Sequence, residues 1–194
     1  MPQKELLVVG GPNGSGKSTF VTRLLRERDR PYLCADLIAK EFSHLDALSQ
    51  QVEAGREFLR RSEIQLLRDE DFIIESTLSG RTLRKFLDRA REAEYSITIA
   101  FVYLNSPMTC IERVRQRVRR GGHHVPDEDV RRQFARSCDN FWHIYRKIAD
   151  QWVVYYNAGS KFVEVVFGSP DGFAVCDDDL FHRFLEFAGE TNHG

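Results

Sequence analysis

Ten consecutive residues near the amino end carry the densest chemistry in the chain: Gly10-Gly11-Pro12-Asn13-Gly14-Ser15-Gly16-Lys17-Ser18-Thr19. From Gly11 to Ser18 they fit G-x-x-x-x-G-K-[ST], the spacing of a P-loop. Gly11, Gly14 and Gly16 permit backbone angles that a Cβ resists, so successive N–H groups can turn inward around phosphate oxygens. A helix opening near Lys17 adds the positive end of its dipole. Lys17 then supplies the cation for terminal phosphates, and the Ser18 hydroxyl is a ligand for Mg²⁺. Pro12, Asn13, Ser15 and Thr19 complete the cradle. The apolar run Leu6–Val9 before the loop and the run Phe20–Leu25 after it predict the strand and helix that this motif requires.

Two carboxylates follow short apolar segments. Asp36 comes after Tyr32-Leu33-Cys34-Ala35, and Glu75 after Phe72-Ile73-Ile74. Each could act only as a cap, Asp36 for a helical turn over Leu37–Phe42 and Glu75–Ser79 for a helix over Arg81–Glu92. Open α/β sheets bind ligands at the carboxyl ends of their strands, however, and the P-loop marks which end faces phosphate. Two acids at that end suit a phosphotransferase, with Asp36 toward the nucleophile and Glu75 toward metal water or substrate hydroxyls. The most apolar segment, Ser96–Leu104, ends without Asp or Glu, so a standard Walker B acid is missing there.

A third concentration lies between Glu112 and Arg136, where eight arginines meet four acids. Solvated helix faces account for any one of them, helped by a Glu128–Arg132 pair at i,i+4. As a cluster they match phosphate oxygens two at a time. The two helices flanking Gly121-Gly122 read as an arginine-rich lid over about residues 113–136. His123 and His124 have no Cys or carboxylate at metal-ligand spacing, so lid packing or substrate contact is expected of them.

These residues need a scaffold. A length of 194 residues suits one domain over 1–194, and 42% hydrophobic with 29% charged residues is ordinary for a globular protein. The formal net charge of −1 argues against nucleic acid and anionic membranes as partners. The first residues lack the form of a signal peptide, and no apolar run could span a bilayer, so a cytoplasmic location is expected. Cys34, Cys110, Cys138 and Cys176 have no CxxC spacing and read as reduced, mostly buried thiols.

Strands are predicted over Leu6–Val9, Tyr32–Ala35, Asp71–Leu78, Ser96–Leu104 and Phe162–Phe167, with a short extra one over Phe173–Cys176. Helices are predicted over 17–28, 49–68, 81–92, 107–120 and 180–187. The 49–68 helix should carry Val52, Gly55, Phe58 or Leu59, Ser62 and Leu66 on roughly one face. A further helix starts at Asp127, and its apolar stripe (Val130, Phe134, Phe141, Tyr145, Ile148, Trp152, Tyr156) runs to Asn157. Thr191–Gly194 are expected to stay outside the packed fold. The alternation predicts an α/β P-loop NTPase-type three-layer sandwich, with a mostly parallel five-stranded sheet flanked by helices.

GPNGSGKST, the Asp36 segment CADLIA, IIESTLSG at Ile73–Gly80 and RVRQRVRRGGHHVPDEDVRRQFARS at Arg113–Ser137 together resemble the zeta-toxin family of P-loop kinases, in its short single-domain branch. The resemblance covers about residues 5–168. It implies ATP and Mg²⁺ as cofactors and phosphorylation of the 3′-hydroxyl of a UDP-N-acetyl amino sugar. For some members it also implies a small helical antitoxin as partner. Carried onto this chain, it makes Lys17 and Ser18 the phosphate lysine and metal hydroxyl and Asp36 the base. Glu75, with Thr77 beside it, contacts substrate or metal water. The lid arginines fall among Arg117, Arg120, Arg132 and Arg136, with Arg117 and Arg132 the first choices. The chain is shorter than the classical toxins and contains no antitoxin segment. Two other readings stand beside this one: a polynucleotide or nucleoside hydroxyl kinase, and a non-catalytic nucleotide-dependent switch.

Overall fold

The computed structural model describes residues 4–27, 29–122 and 124–190, so the expectations for His123 and Thr191–Gly194 lie outside the described residues. The first half of the chain contains β1 (Glu5–Gly10), α1 (Lys17–Leu25), β2 (Tyr32–Cys34), α2 (Ala35–Ala39), α3 (Ala47–Arg68), β3 (Phe72–Ser76) and α4 (Thr82–Glu92). The second half contains β4 (Ser96–Tyr103), α5 (Pro107–Arg119), α6 (Asp127–His143), β5 (Gln151–Asn157), β6 (Phe162–Ser169), β7 (Gly172–Val175) and α7 (Asp178–Phe187). One sheet runs β2-β3-β1-β4-β5-β6-β7. The first five strands in that order are parallel, and β6 and β7 continue antiparallel.

The sheet therefore has seven strands, and the expectation of five is corrected. The main error lies in the helix predicted from Asp127 to Tyr156. α6 ends at His143, a single 3₁₀ turn follows over Tyr145–Lys147, and Gln151–Asn157 is strand β5. Tyr145, Ile148, Trp152 and Tyr156 fall at helical spacing by coincidence. The β-branched and aromatic run Trp152-Val153-Val154-Tyr155-Tyr156 fits a strand equally well, and pairing with β4 decides between the two. β7 is the other added strand, where a short extra one was expected.

Alternation along β1 sorts the core. Leu6 and Val8 enter the large cluster with α3 to α7, while Val9 faces a smaller one with Phe20 and Val21 of α1, Ile73, Ala100 and Val102. Among the described residues, α1 is the only helix supplying that second face, so the sandwich is lopsided. In α3 the buried positions are Ala54, Phe58, Ser62, Gln65 and Leu66, whereas Val52 is largely exposed. A Cβ on Gly55 would meet open space, so close packing does not explain that glycine. α5 begins as expected, with Ser106 Oγ accepting from the Thr109 N–H and Pro107 in the first turn. Cys110, Ile111 and Val114 of α5 are in the core, while Met108 is exposed. No helix of the described residues is long and apolar enough to cross a membrane.

Candidate active site

The loop after β1 is formed by backbone that only glycine tolerates easily. Gly11, Gly14 and Gly16 have φ of 136°, 82° and 103°. Space forbids a side chain as well: a Cβ on Gly11 would collide with the Val102 carbonyl of β4, and one on Gly14 with the Cys110 carbonyl of α5. The loop is thus pinched between the central strand and the first turn of α5. Side chains tie it further. Asn157 Nδ2, at the end of β5, donates to the Ser15 carbonyl at 2.8 Å, and Asn13 Nδ2 donates to Gln133 Oε1 of α6 at 2.6 Å. Lys17 is buried, and its Nζ donates across the loop to the Pro12 carbonyl at 3.1 Å.

Strand order brings the acids to this loop. In register, Cys34 of β2 stands opposite Glu75 of β3, and Glu75 stands opposite Val9 of β1. Glu75 Oε2 accepts from Ser18 Oγ at 2.9 Å and from the Tyr32 hydroxyl at 2.5 Å, while Oε1 lies 3.8 Å from Lys17 Nζ. Burial, with the Glu75 carboxylate next, pushes the Tyr32 hydroxyl far above the usual phenol range. The same two causes raise the Cys34 thiol. Of the two roles open to Asp36, that of a cap is not taken. Cys34 holds the N-cap position of α2, and Asp36 lies in the first turn, where the dipole favours a carboxylate. Its half-exposed Oδ2 is 3.4 Å from Arg117 Nη1.

α5 aims the arginines. Arg113 and Arg117 are one helical turn apart, and both line a cleft of about 280 Å³ with Asn13, Lys17, Ser18, Thr19, Asp36 and Glu75. A second hollow of about 320 Å³ shares Ser18, Asp36 and Arg117 and adds Tyr32, Leu37 and Lys40. Arg120 lines an adjoining groove with Lys40, Arg113 and Arg117. Gly121-Gly122 close α5 in a Schellman arrangement: Gly122 N–H donates to the Arg117 carbonyl and Gly121 N–H to that of Val118. Gly121 has φ of 82°, which favours glycine. The 113–136 region is thus two helices that bury Cys110, Ile111 and Val114 on one side and Val130, Phe134 and Cys138 on the other.

Not every selected residue reaches the cleft. Arg132 pairs with Asp129 rather than Glu128, on an exposed face of α6, and Arg136 is also exposed and lines no part of the cleft. Thr77 turns its hydroxyl to Ser79 Oγ at 2.8 Å and is absent from the lining. Four contributors escaped the sequence reading: Arg113 as a lining residue, Tyr32, Gln133 and Asn157. Arg113 had a signal, since it shares a helix face with Arg117. The other three depend on strand and helix neighbours distant in sequence.

The arrangement offers a cradle of N–H groups, a buried lysine, a hydroxyl backed by a carboxylate, and a second carboxylate across the cleft. Ser18 and Glu75 present oxygen donors of the hard kind that suit Mg²⁺. Together with the strand order, these features define a P-loop domain of the kinase-like type. The chain belongs to the AAA domain family AAA_33, which matches residues 6–138. An uncharacterized protein of Haemophilus influenzae is 24% identical over 132 residues, covering 68% of this chain and 94% of that protein.

Among solved structures, the AvrRxo1-ORF1:-ORF2 complex with ATP is similar with a TM-score of 0.74 at 17% identity, over 99% of this chain and 66% of that one. The chain thus spans just under two thirds of the chains that it matches in the AvrRxo1-ORF1:-ORF2 complexes. A structure of the PezAT chromosomal toxin-antitoxin system of Streptococcus pneumoniae is similar with a TM-score of 0.66 at 14% identity, over all of this chain and 82% of that one. At such identities these likenesses speak to the fold.

Proposed function

We propose that this protein is an ATP- and Mg²⁺-dependent kinase that transfers the γ-phosphoryl group to a hydroxyl of a small acceptor. One observation carries the reading: Asp36 lines the same cleft as Lys17, Ser18 and the loop glycines Gly14 and Gly16. A nucleotide binder without transfer chemistry has no use for that acid. In the proposed reaction the P-loop N–H groups and Lys17 hold the β- and γ-phosphates. Ser18, with Glu75 behind it, would hold Mg²⁺, which would offset negative charge on the phosphates. Asp36 accepts the hydroxyl proton as the acceptor oxygen forms its bond to phosphorus and the bond to the β-phosphate oxygen breaks. Arg113, Arg117 and Arg120 act as the lid, covering charge that spreads over the transferred group.

The acceptor we propose is a UDP-N-acetyl amino sugar. Two features support it besides the family resemblance. The hollow beside Asp36 has an apolar and aromatic floor in Leu37 and Tyr32, suited to a sugar ring. The adjoining groove is lined by Lys40, Arg113, Arg117 and Arg120 with no acid, suited to a diphosphate. Both neighbours come from systems named for two components, the AvrRxo1-ORF1:-ORF2 complex and the PezAT toxin-antitoxin system. On that basis a small helical antitoxin is a proposed partner.

The test is incubation of the wild-type protein with ATP, Mg²⁺ and separate panels of UDP-sugars, nucleosides and short RNAs, followed by mass spectrometry. The expected result is one added phosphoryl group on a UDP-N-acetyl amino sugar. Phosphorylation confined to RNA ends would move the assignment to a polynucleotide kinase. ATP binding without transfer to any acceptor would leave a nucleotide-dependent switch.

A further inference from the structure

The Tyr32 hydroxyl has no place in the proposed reaction, yet it makes one of the shortest contacts in the cleft. Tyr32 opens β2 and is half-buried against the small core under α1. Its hydroxyl donates at 2.5 Å to Glu75 Oε2, the same oxygen that accepts from Ser18 Oγ. A serine hydroxyl has one proton and two lone pairs. With its proton committed to Glu75, Ser18 turns its lone pairs toward the cleft, where a cation would sit. That orientation holds only while Glu75 keeps one rotamer. Its other oxygen has Lys17 Nζ at 3.8 Å, too far for a hydrogen bond. Tyr32 therefore supplies a second short, directional contact, to the same carboxylate oxygen that Ser18 uses. The residue also lines the hollow shared with Asp36 and Leu37.

We propose that Tyr32 is a positioning residue for the metal–nucleotide site. It acts through Glu75 on Ser18, and so links the hollow beside Asp36 to the Mg²⁺ position. The inference rests on the reading of the cleft as a Mg²⁺–nucleotide site, but not on transfer to any particular acceptor. Groups behind a metal ligand typically change metal affinity tenfold to a hundredfold when removed.

The experiment measures equilibrium binding of fluorescent ADP to the wild type, Tyr32→Phe, Glu75→Gln and the double variant, in EDTA and across a Mg²⁺ titration. Phe keeps the ring that packs under α1, and ADP affinity in EDTA together with the melting temperature checks that each variant is folded. Tyr32→Phe is expected to need on the order of tenfold more Mg²⁺ for the same gain in ADP affinity, with affinity in EDTA unchanged. The double variant is expected to match Glu75→Gln, because Tyr32 works through that carboxylate. A Tyr32→Phe protein with the wild-type Mg²⁺ dependence would overturn the proposal. So would effects of the two substitutions that add independently. Absence of phosphoryl transfer by the wild type would sink the kinase reading while leaving this titration readable.

Discussion

The two ends of the sheet are built on opposite plans. Around β1, β2 and β3 the chain packs backbone against backbone: a Cβ on Gly11 or Gly14 of the loop would meet a carbonyl of β4 or α5, and Lys17 and Glu75 are buried beside them. Around β5 to β7 and α7 it spends aromatic rings. Phe141, Trp142, Trp152, Phe173, Phe181 and Phe184 form a continuous set of edge and tilted contacts. Arg146 covers the set, with its guanidinium 4.0 Å from the centre of the Trp142 ring. The first region depends on direction, since its hydrogen bonds and close approaches tolerate little displacement. The second depends chiefly on buried apolar area, with ring orientation adding a smaller share. The aromatic packing and the proposed chemistry therefore fall to different parts of one sheet, joined by Asn157, whose strand belongs to the second and whose amide grips the loop of the first.

Substitutions can break that division of labour or sharpen it. Lys17→Ala should have the largest effect, a loss of transfer on the order of 10³-fold or more with the melting temperature near wild type. Radiolabel transfer and thermal melting measure the two sides. Asp36→Asn should reduce turnover by roughly 10²- to 10⁴-fold while ADP affinity stays nearly unchanged, as read by titration. Wild-type turnover in this variant would remove Asp36 from the role of base.

On the aromatic side, Phe184→Ala should cost about 3–5 kcal/mol of stability in chemical denaturation. Turnover per folded molecule should remain that of the wild type, and a large loss would show that the two regions are not separable. Among the arginines, Arg113→Ala should weaken transfer by roughly tenfold or more. Arg132→Ala should change neither transfer nor stability by more than about 0.5 kcal/mol. Equal losses from both would mean that α6 moves onto the nucleotide, and would restore Arg132 to the site.

Legibility followed the same division. The P-loop could be read because its whole mechanism lies within Gly11–Ser18, in glycine conformations and one helix start. Asp36 and Glu75 could be suspected because each follows an apolar run, and Arg113, Arg117 and Arg120 because helical spacing puts them on one face. Misreadings arose where the answer lay across the sheet. β5 looked helical because four apolar residues at helical spacing mimic a stripe, and its pairing with β4 is invisible in the local pattern. Arg132 looked equivalent to Arg117 because both stand in basic helices, and only packing separates an α5 face turned to the loop from an α6 face turned to solvent.

The sequence alone determined that a P-loop cradle would form at the amino end of α1, because backbone freedom and a lysine at fixed spacing are properties of neighbouring residues. Only the tertiary structure decided what stands opposite that grip. Inserting β3 between β2 and β1 puts Glu75 behind Ser18, pairing β5 to β4 brings Asn157 to Ser15, and wedging α5 against Gly14 turns Arg113 and Arg117 inward. Each is a contact between segments far apart along the chain, set by strand order and the burial of apolar faces, which no local spacing encodes.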